Sequence, residues 1–141
     1  PQKLCSGLSS ILGKTMGGSS GVLLSIMFMG MAASFEKASS KSWKSSGGAS
    51  LAAGLDAMMA AGGAQVGSRT MLDALVPAAE ALAAGKSTSE VAEAAKAGME
   101  ATKTMEPKAG RSENVPKEKW SGVPDPGAAA AAKVFQALAS S

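Results

Sequence analysis

Apolar residues recur at steps of three and four over most of the chain, which is the spacing of one face of an α-helix. In residues 1–16 this row is Leu4, Leu8, Ile11 and Leu12. Residues 22–33 are apolar at nearly every position. That pattern predicts a helix over residues 22–35 that neighbouring helices enclose on all sides.

Polar or glycine-containing segments separate the predicted helices. Residues 36–48 are rich in Ser and Lys, and they predict a surface loop. A third helix is predicted over residues 49–61, where two glycines end it. A fourth is predicted over residues 69–84, with Pro77 producing a kink or a local break.

Two helix starts are marked by local signals. Ser87 and Glu90 have the spacing of a capping box, which predicts a fifth helix that extends to residue 105. Asp125 followed by Pro126 predicts the start of the last helix, because Asp is a good N-cap and Pro suits the first helical position.

Residues 106–124 form a polar segment between these two helices, and a loop of this length is usually functional or disordered. The total is about six helices without a strand. The sequence therefore predicts an all-α fold, an antiparallel bundle or barrel, formed as a single domain by residues 1–141.

Composition and charge narrow the function classes. The formal net charge is +3, and the lysines are scattered without the interleaved aromatic residues on which nucleic-acid bases stack. Nucleic acid is therefore not an expected partner. The chain has no histidine, which excludes Ser-His-Asp and Cys-His catalysis and all histidine-based metal sites.

Two further features concern location. The single cysteine, Cys5, cannot form an internal disulfide, and this favours an intracellular, reducing compartment, either the cytoplasm or the interior of an organelle. The apolar run has about 12 residues, fewer than the ~20 that span a bilayer. The protein is therefore not expected to span a membrane.

Three motifs combine glycine with polar side chains. In residues 16–21, Ser19 and Ser20 precede a helix, and backbone N–H groups at such a start suit a phosphate. Residues 62–75 form a second glycine loop, with Arg69 and Thr70 near the start of a helix. Each motif also has a plainer interpretation, as a connector or as a turn in which Arg69 pairs with a surface carboxylate.

The third motif has two parts. Arg111, which follows Gly110, is suited to contact a phosphate, and the turn formed by Asp125, Pro126 and Gly127 is suited to line a purine or ribose. A loop followed by a helix cap is the plainer alternative.

In this order, the three motifs resemble the L domain of dihydroxyacetone kinases, which also ends the triokinase/FMN cyclase chain. The resemblance implies a barrel of eight antiparallel helices with ATP or ADP at one end. It implies that the residues facing the nucleotide are Ser19, Ser20, Gly63, Thr70, Met71, Arg111, Asp125, Pro126 and Gly127.

The sequence departs from this family in its acidic residues. No Asp or Glu precedes Glu36, so the first helix and the Asp-rich loop that would hold Mg²⁺ are not recognised in it. Ser68 stands where the family typically has Asp. Phosphoryl transfer relies on metal ions to neutralise the phosphates, so no metal ligand and no catalytic residue is expected here.

The expected function is therefore a non-catalytic relative that serves as a structural or interaction subunit with protein partners in a larger assembly. The alternative is an ATP-binding fragment of an active glycerone kinase, which phosphorylates dihydroxyacetone, with the metal-binding segment outside this chain. The third interpretation is a binder of a small ligand or a lipid, with residues 22–35 lining its cavity.

Overall fold

The computed structural model describes all residues from Pro1 to Ser141, and every regular element in it is helical. The α-helices are α1 (Gln2–Thr15), α2 (Gly18–Lys37), α3 (Trp43–Gly62), α4 (Leu72–Ala83), α5 (Thr88–Ala101), α6 (Lys117–Trp120) and α7 (Pro126–Ala139). Two 3₁₀ turns cover Thr102–Thr104 and Gly110–Asn114. The all-α prediction is confirmed. Contacts divide the chain into two compact units, Pro1–Gly62 and Gly63–Ser141, and the single domain stays a prediction.

In the first unit, α1 and α2 are joined by a reciprocal pair of serine hydrogen bonds. The Ser9 hydroxyl donates to the carbonyl of Ser25 at 2.8 Å, and the Ser25 hydroxyl donates to the carbonyl of Ser9 at 2.9 Å. Each hydroxyl, buried at Ser9 and part-buried at Ser25, thereby finds an acceptor on the opposite helix, and the polar pair costs little desolvation.

Close approach of two backbones governs the packing of α2 on α3. A Cβ added to Gly54 would lie 2.5 Å from the carbonyl oxygen of Met27, and one added to Gly30 would lie 3.0 Å from the Cα of Gly54. Large side chains fill the space around this contact, and the buried ones are Met27, Met31, Phe35, Leu51, Leu55 and Met58.

The prediction of a loop over residues 36–48 is correct only for residues 38–42, because α2 extends to Lys37 and α3 begins at Trp43. The Trp43 ring meets the buried Phe35 ring edge-on, with 4.8 Å between the centroids. Lys41 donates its ammonium group to the last carbonyls of α2, at Phe35 (2.9 Å) and Glu36. The contact of Trp43 with Phe35 outweighs the polar composition that predicted a loop at the start of α3.

The prediction that α2 is enclosed on all sides is wrong, since Val22 and Met29 are 57% and 63% exposed. The helix is also longer than the predicted apolar run of about 12 residues: α2 has 20 residues with a mean hydropathy of 1.5, and it is long and apolar enough to cross a membrane by those criteria. A core helix of a soluble protein meets the same criteria, and within this unit α2 packs against both α1 and α3.

In the second unit, α4, α5 and α7 pack around a small alanine-rich core. The buried centre consists of Ala78, Val91, Ala95 and Ala132, with Leu82, Met99 and Phe135 packed against it. Small side chains let the helices approach closely, and the larger ones at the margin fill the remaining space.

Both predicted helix starts are confirmed in this unit. The Ser87 hydroxyl accepts from the N–H of Glu90 at 3.3 Å, and the Glu90 carboxylate accepts from the N–H of Ser87 at 2.9 Å. Asp125 caps α7 with Pro126 at the first helical position. Two boundaries differ from the prediction, since α4 begins at Leu72 and α5 ends at Ala101. The polar segment of residues 106–124 also contains α6 and a 3₁₀ turn.

Candidate functional site

The loop before α4 is folded back by one carboxylate. Asp73, in the first turn of α4, accepts from the N–H of Gly67 at 2.5 Å and from the N–H of Thr70 at 2.8 Å. Gly67 and Arg69 have positive φ values of 88° and 58°. A left-handed Arg69 cannot continue a helix, and for this reason α4 starts later than predicted.

Arg69 is the buried centre of this region, with 3% of its surface exposed. Its Nε donates to the carbonyl of Thr102 at 3.2 Å, and its Nη2 donates to the carbonyls of Val123 at 2.8 Å and Trp120 at 3.3 Å. Its guanidinium carbon lies 5.5 Å from the centroid of the Trp120 ring. Arg69 therefore ties the loop before α4 to two distant segments.

The carboxylate nearest to Arg69 is Asp125, whose Oδ1 lies 3.9 Å from Nη1. Asp125 is itself buried, so the interpretation of Arg69 as half of a surface ion pair is wrong. The other oxygen of Asp125 accepts from the N–H of Ala128 at 2.9 Å, and its backbone N–H donates to the hydroxyl of Thr102 at 2.8 Å. The Asp125 side chain thus caps the start of α7 and also places a negative charge opposite the Arg69 guanidinium.

Several residues that the resemblance assigns to the nucleotide lie together in this unit. A Cβ added to Gly127 would lie 3.3 Å from the Cβ of Met71 and 3.4 Å from its nitrogen. Thr70, whose hydroxyl accepts from the N–H of Leu72 at 3.2 Å, directly precedes Met71. We call Thr70, Met71, Asp125, Pro126 and Gly127 the turn cluster.

Arg111 lies on an exposed 3₁₀ turn, and the three ion pairs of the structure involve other residues. Its loop leaves and rejoins the unit at one point, where the N–H of Gly122 donates to the carbonyl of Lys103 at 2.9 Å. The N–H of Lys108 also donates to the carbonyl of Ser68 at 3.1 Å. A phosphate contact by Arg111 stays a prediction, as does the role of Gly63, which has a φ of 72°.

Ser19 and Ser20 lie in the first unit, in the first turn of α2. No side chain caps this helix start, because its N-cap is Gly17. A Cβ added to Gly21 would lie 1.9 Å from the carbonyl oxygen of Met16, so glycine is required there. The uncapped turn suits an anion by its N–H groups, and the assignment of both serines to a phosphate stays a prediction.

The carboxylates of the second unit do not fit a Mg²⁺ site beside the turn cluster. Both oxygens of Asp73 accept N–H groups. In Asp125, Oδ2 accepts from the N–H of Ala128, and Oδ1 faces the Arg69 guanidinium at 3.9 Å. No group of three or more His, Cys, Asp or Glu residues is placed to hold a metal ion.

The sequence interpretation missed Asp73 and Thr102 as organising residues. A signal for Asp73 was present, because Thr70 and Asp73 have the capping-box spacing that identified the start of α5. Thr102 had no comparable signal. Its hydroxyl donates to the carbonyl of Met99 at 2.6 Å and accepts from a residue 23 positions further on.

Residues 1–140 match the DAK2 domain. A putative 3,4-dihydroxy-2-butanone kinase from Solanum lycopersicum is 40% identical over 99% of this chain, and the match covers 25% of that protein. The triokinase/FMN cyclase of Homo sapiens is 39% identical over 98% of this chain, and the match covers 25% of it. The chain thus spans about a quarter of the length of these relatives.

Solved structures give the same result. The crystal structure of the dihydroxyacetone kinase of C. freundii, in its native form, matches 99% of this chain and 23% of its own with a TM-score of 0.80 and 36% identity. The structure of that enzyme in complex with AMP-PNP and Mg²⁺ matches with a TM-score of 0.77.

Proposed function

The chain belongs to the DAK2 domain family, and we propose that residues 1–141 of it serve as a structural and interaction component of a larger assembly and do not transfer a phosphoryl group by themselves. The match to dihydroxyacetone kinase confirms the all-α fold that the resemblance implied. The observation that carries the proposal is the engagement of the carboxylates beside the turn cluster.

Phosphoryl transfer depends on metal ions that neutralise the phosphates, and Mg²⁺ needs free carboxylate oxygens to replace part of its water. Asp73 and Asp125 already use theirs to hold backbone N–H groups and Arg69. Turning the Asp125 carboxylate toward a metal would leave the buried N–H of Ala128 unpaired, at a cost of about 1–3 kcal/mol. Turning Asp73 would release the part-buried N–H groups of Gly67 and Thr70. These residues are therefore unsuited to supply the metal.

Exposed apolar surface in the first unit supports the interaction role. Four large apolar side chains there are each 56–63% exposed, and they are Leu4, Ile11, Val22 and Met29. Exposed apolar side chains of this size are available for contact with a protein partner. The relatives are about four times longer than the region matched, so further protein is available to them for such contacts.

A kinase assay tests the proposal. The 141-residue chain is incubated with dihydroxyacetone and Mg-ATP, and ADP release is followed, with the C. freundii dihydroxyacetone kinase as the positive control. We expect no ADP release above the rate without protein. Turnover by this chain alone would overturn the proposal.

The second candidate is an ATP-binding fragment of an active glycerone kinase, in which residues outside 1–141 supply the metal ligands. The turn cluster favours it, because Met71 and Gly127 lie in contact although 56 positions separate them. The uncapped start of α2, with Ser19 and Ser20, is a second feature that suits a phosphate.

Thermal melting with ATP, in Mg²⁺ and in EDTA, separates the two candidates. Binding far below the ligand concentration stabilises the folded state by about 2–4 kcal/mol. A shift of the melting temperature in EDTA supports retained nucleotide binding without a metal. A shift that requires Mg²⁺ contradicts the absence of metal ligands from residues 1–141, on which both candidates rest. No shift at millimolar ATP contradicts the second candidate.

A further inference from the structure

We infer that Arg69 is a positioning residue for the turn cluster, a role that rests on the nucleotide-binding candidate above. Arg69 directly precedes Thr70 and Met71 in the chain, and its guanidinium holds the segment that leads into Asp125. One side chain thus fixes both halves of the cluster, and Arg69 needs no contact with the nucleotide itself.

The contacts of Arg69 require the shape of a guanidinium. Its three nitrogens, Nε, Nη1 and Nη2, face four acceptor groups. These are the Asp125 carboxylate and the carbonyls of Thr102, Trp120 and Val123. A lysine offers a single nitrogen and cannot reach all of them. Charge alone is therefore insufficient, and Arg69→Lys should not restore the arrangement in full.

The backbone at Arg69 strengthens this inference. Its φ of 58° is the only positive value at a residue other than glycine in the chain. Such a conformation is unfavourable for a residue with a Cβ and persists where surrounding contacts hold it. Here the contacts are the buried guanidinium bonds on one side and the Asp73 carboxylate, which accepts from the N–H of Thr70, on the other.

Arg69 also forms hydrogen bonds to both ends of the loop that carries Arg111. Its acceptors lie at both ends of this loop, at Thr102 before it and at Trp120 and Val123 after it. Losing the guanidinium should therefore loosen the Arg111 loop and the turn cluster together. Binding of a nucleotide would then have to order both segments, and the conformational entropy lost in this step weakens the affinity of the folded protein.

The test compares the affinity of folded protein for ATP among variants of the full 141-residue chain. The variants are Arg69→Met, Arg69→Lys and Trp120→Leu, with Lys133→Met on the exposed face of α7 as the matched control. Calorimetric titration with ATP, in EDTA and in Mg²⁺, is performed at a temperature at which circular dichroism shows each variant fully folded. A purely structural role lowers the melting temperature and leaves this affinity unchanged.

We expect Arg69→Met to weaken ATP binding about tenfold or more, Arg69→Lys to recover part of the loss, and Lys133→Met to bind as the parent does. Trp120→Leu removes only the ring beside the guanidinium, and should weaken binding about threefold. If Arg69→Met does not fold, the comparison uses Arg69→Lys and Trp120→Leu instead. The inference is overturned if both of these variants bind ATP with the affinity of the parent.

The two possible failures are distinguishable. If the parent binds ATP and Arg69→Met binds it equally well, the positioning role is wrong and nucleotide binding stands. If the parent chain binds no ATP at millimolar concentration, the nucleotide-binding candidate is wrong, and the positioning role falls with it.

Discussion

The backbone of Gly98 lies directly against the carbonyl oxygen of Asp73, so that a Cβ added to Gly98 would sit 1.9 Å from that oxygen. The helical partner of this carbonyl would be the N–H of residue 77, and Pro77 has none. Pro77 thus leaves the Asp73 carbonyl of α4 without its helical hydrogen bond, and Gly98 of α5 lets the backbones of the two helices approach each other closely at this carbonyl. The helix nevertheless continues through Pro77 as far as Ala83.

We predict that Gly98→Ala destabilises the protein by about 1–3 kcal/mol, because α4 and α5 must separate to admit the methyl group. Urea unfolding followed by circular dichroism measures the change. Gly7→Ala in α1 is the matched control, since nothing lies within 4 Å of an added Cβ there, and it should stabilise by about 0.5–1 kcal/mol. Equal effects of both substitutions would contradict the close approach.

Replacement of Asp125 should separate its two roles. Asp125→Ala removes the cap of α7 and leaves Arg69 without its facing carboxylate, at a cost of about 2–4 kcal/mol. Asp125→Asn keeps an oxygen for the N–H of Ala128 and loses only the charge, so a smaller cost of about 1–2 kcal/mol is expected. Urea unfolding of the two variants gives the comparison. An equal loss in both would mean that the cap contributes nothing measurable.

The capping box of α5 should respond to acid. The hydrogen bond from the Ser87 backbone N–H, followed by those from the Ser87 hydroxyl and Lys86, holds the pKa of Glu90 below its ordinary value of 4.5. A carboxyl whose pKa falls on folding stabilises the protein above the unfolded pKa, and this contribution disappears as the pH drops through the folded pKa.

Melting temperatures of the parent and of Glu90→Gln, measured from pH 7 to pH 3, test this dependence. The parent should be the more stable of the two at pH 7, and the difference should shrink below pH 4.5. Glu93→Gln on the exposed side of α5 is the control and should show no such trend. A difference that grows toward low pH would contradict the sign.

The free thiol of Cys5 should react slowly. Cys5 is fully buried in α1, and burial raises the pKa of its thiol. Only the thiolate attacks a disulfide reagent, so at pH 8 the folded protein should react at least about tenfold more slowly than the unfolded chain. Absorbance with a chromogenic disulfide, with and without urea, gives both rates. Rapid reaction of the folded protein would show that the first unit opens readily around α1.

Local signals predicted a large part of the fold. The starts of α5 and α7 depend on residues within three positions of each other, Ser87 with Glu90 and Asp125 with Ala128. Interactions this close in sequence form whenever the local conformation is helical. The order of the three glycine motifs likewise identified the family without any structure.

Tertiary contacts account for the failures. Residues 43–48 are polar and read as a loop, yet they are helical because Trp43 packs on Phe35. The enclosure of α2 was inferred from its composition, and no composition states which neighbours a helix will have. Its exposed Val22 and Met29 could only be found from the packing of α1 and α3.

The sequence by itself determined the helical class, the capping signals and the family, because each depends on residues close together in the chain or on the order of the motifs. Only the tertiary structure decided that Arg69 is buried and that the carboxylates near it are already engaged. The physical reason is distance along the chain: the acceptors of Arg69 lie 33, 51 and 54 positions away. Such pairings exist only after the helices have packed.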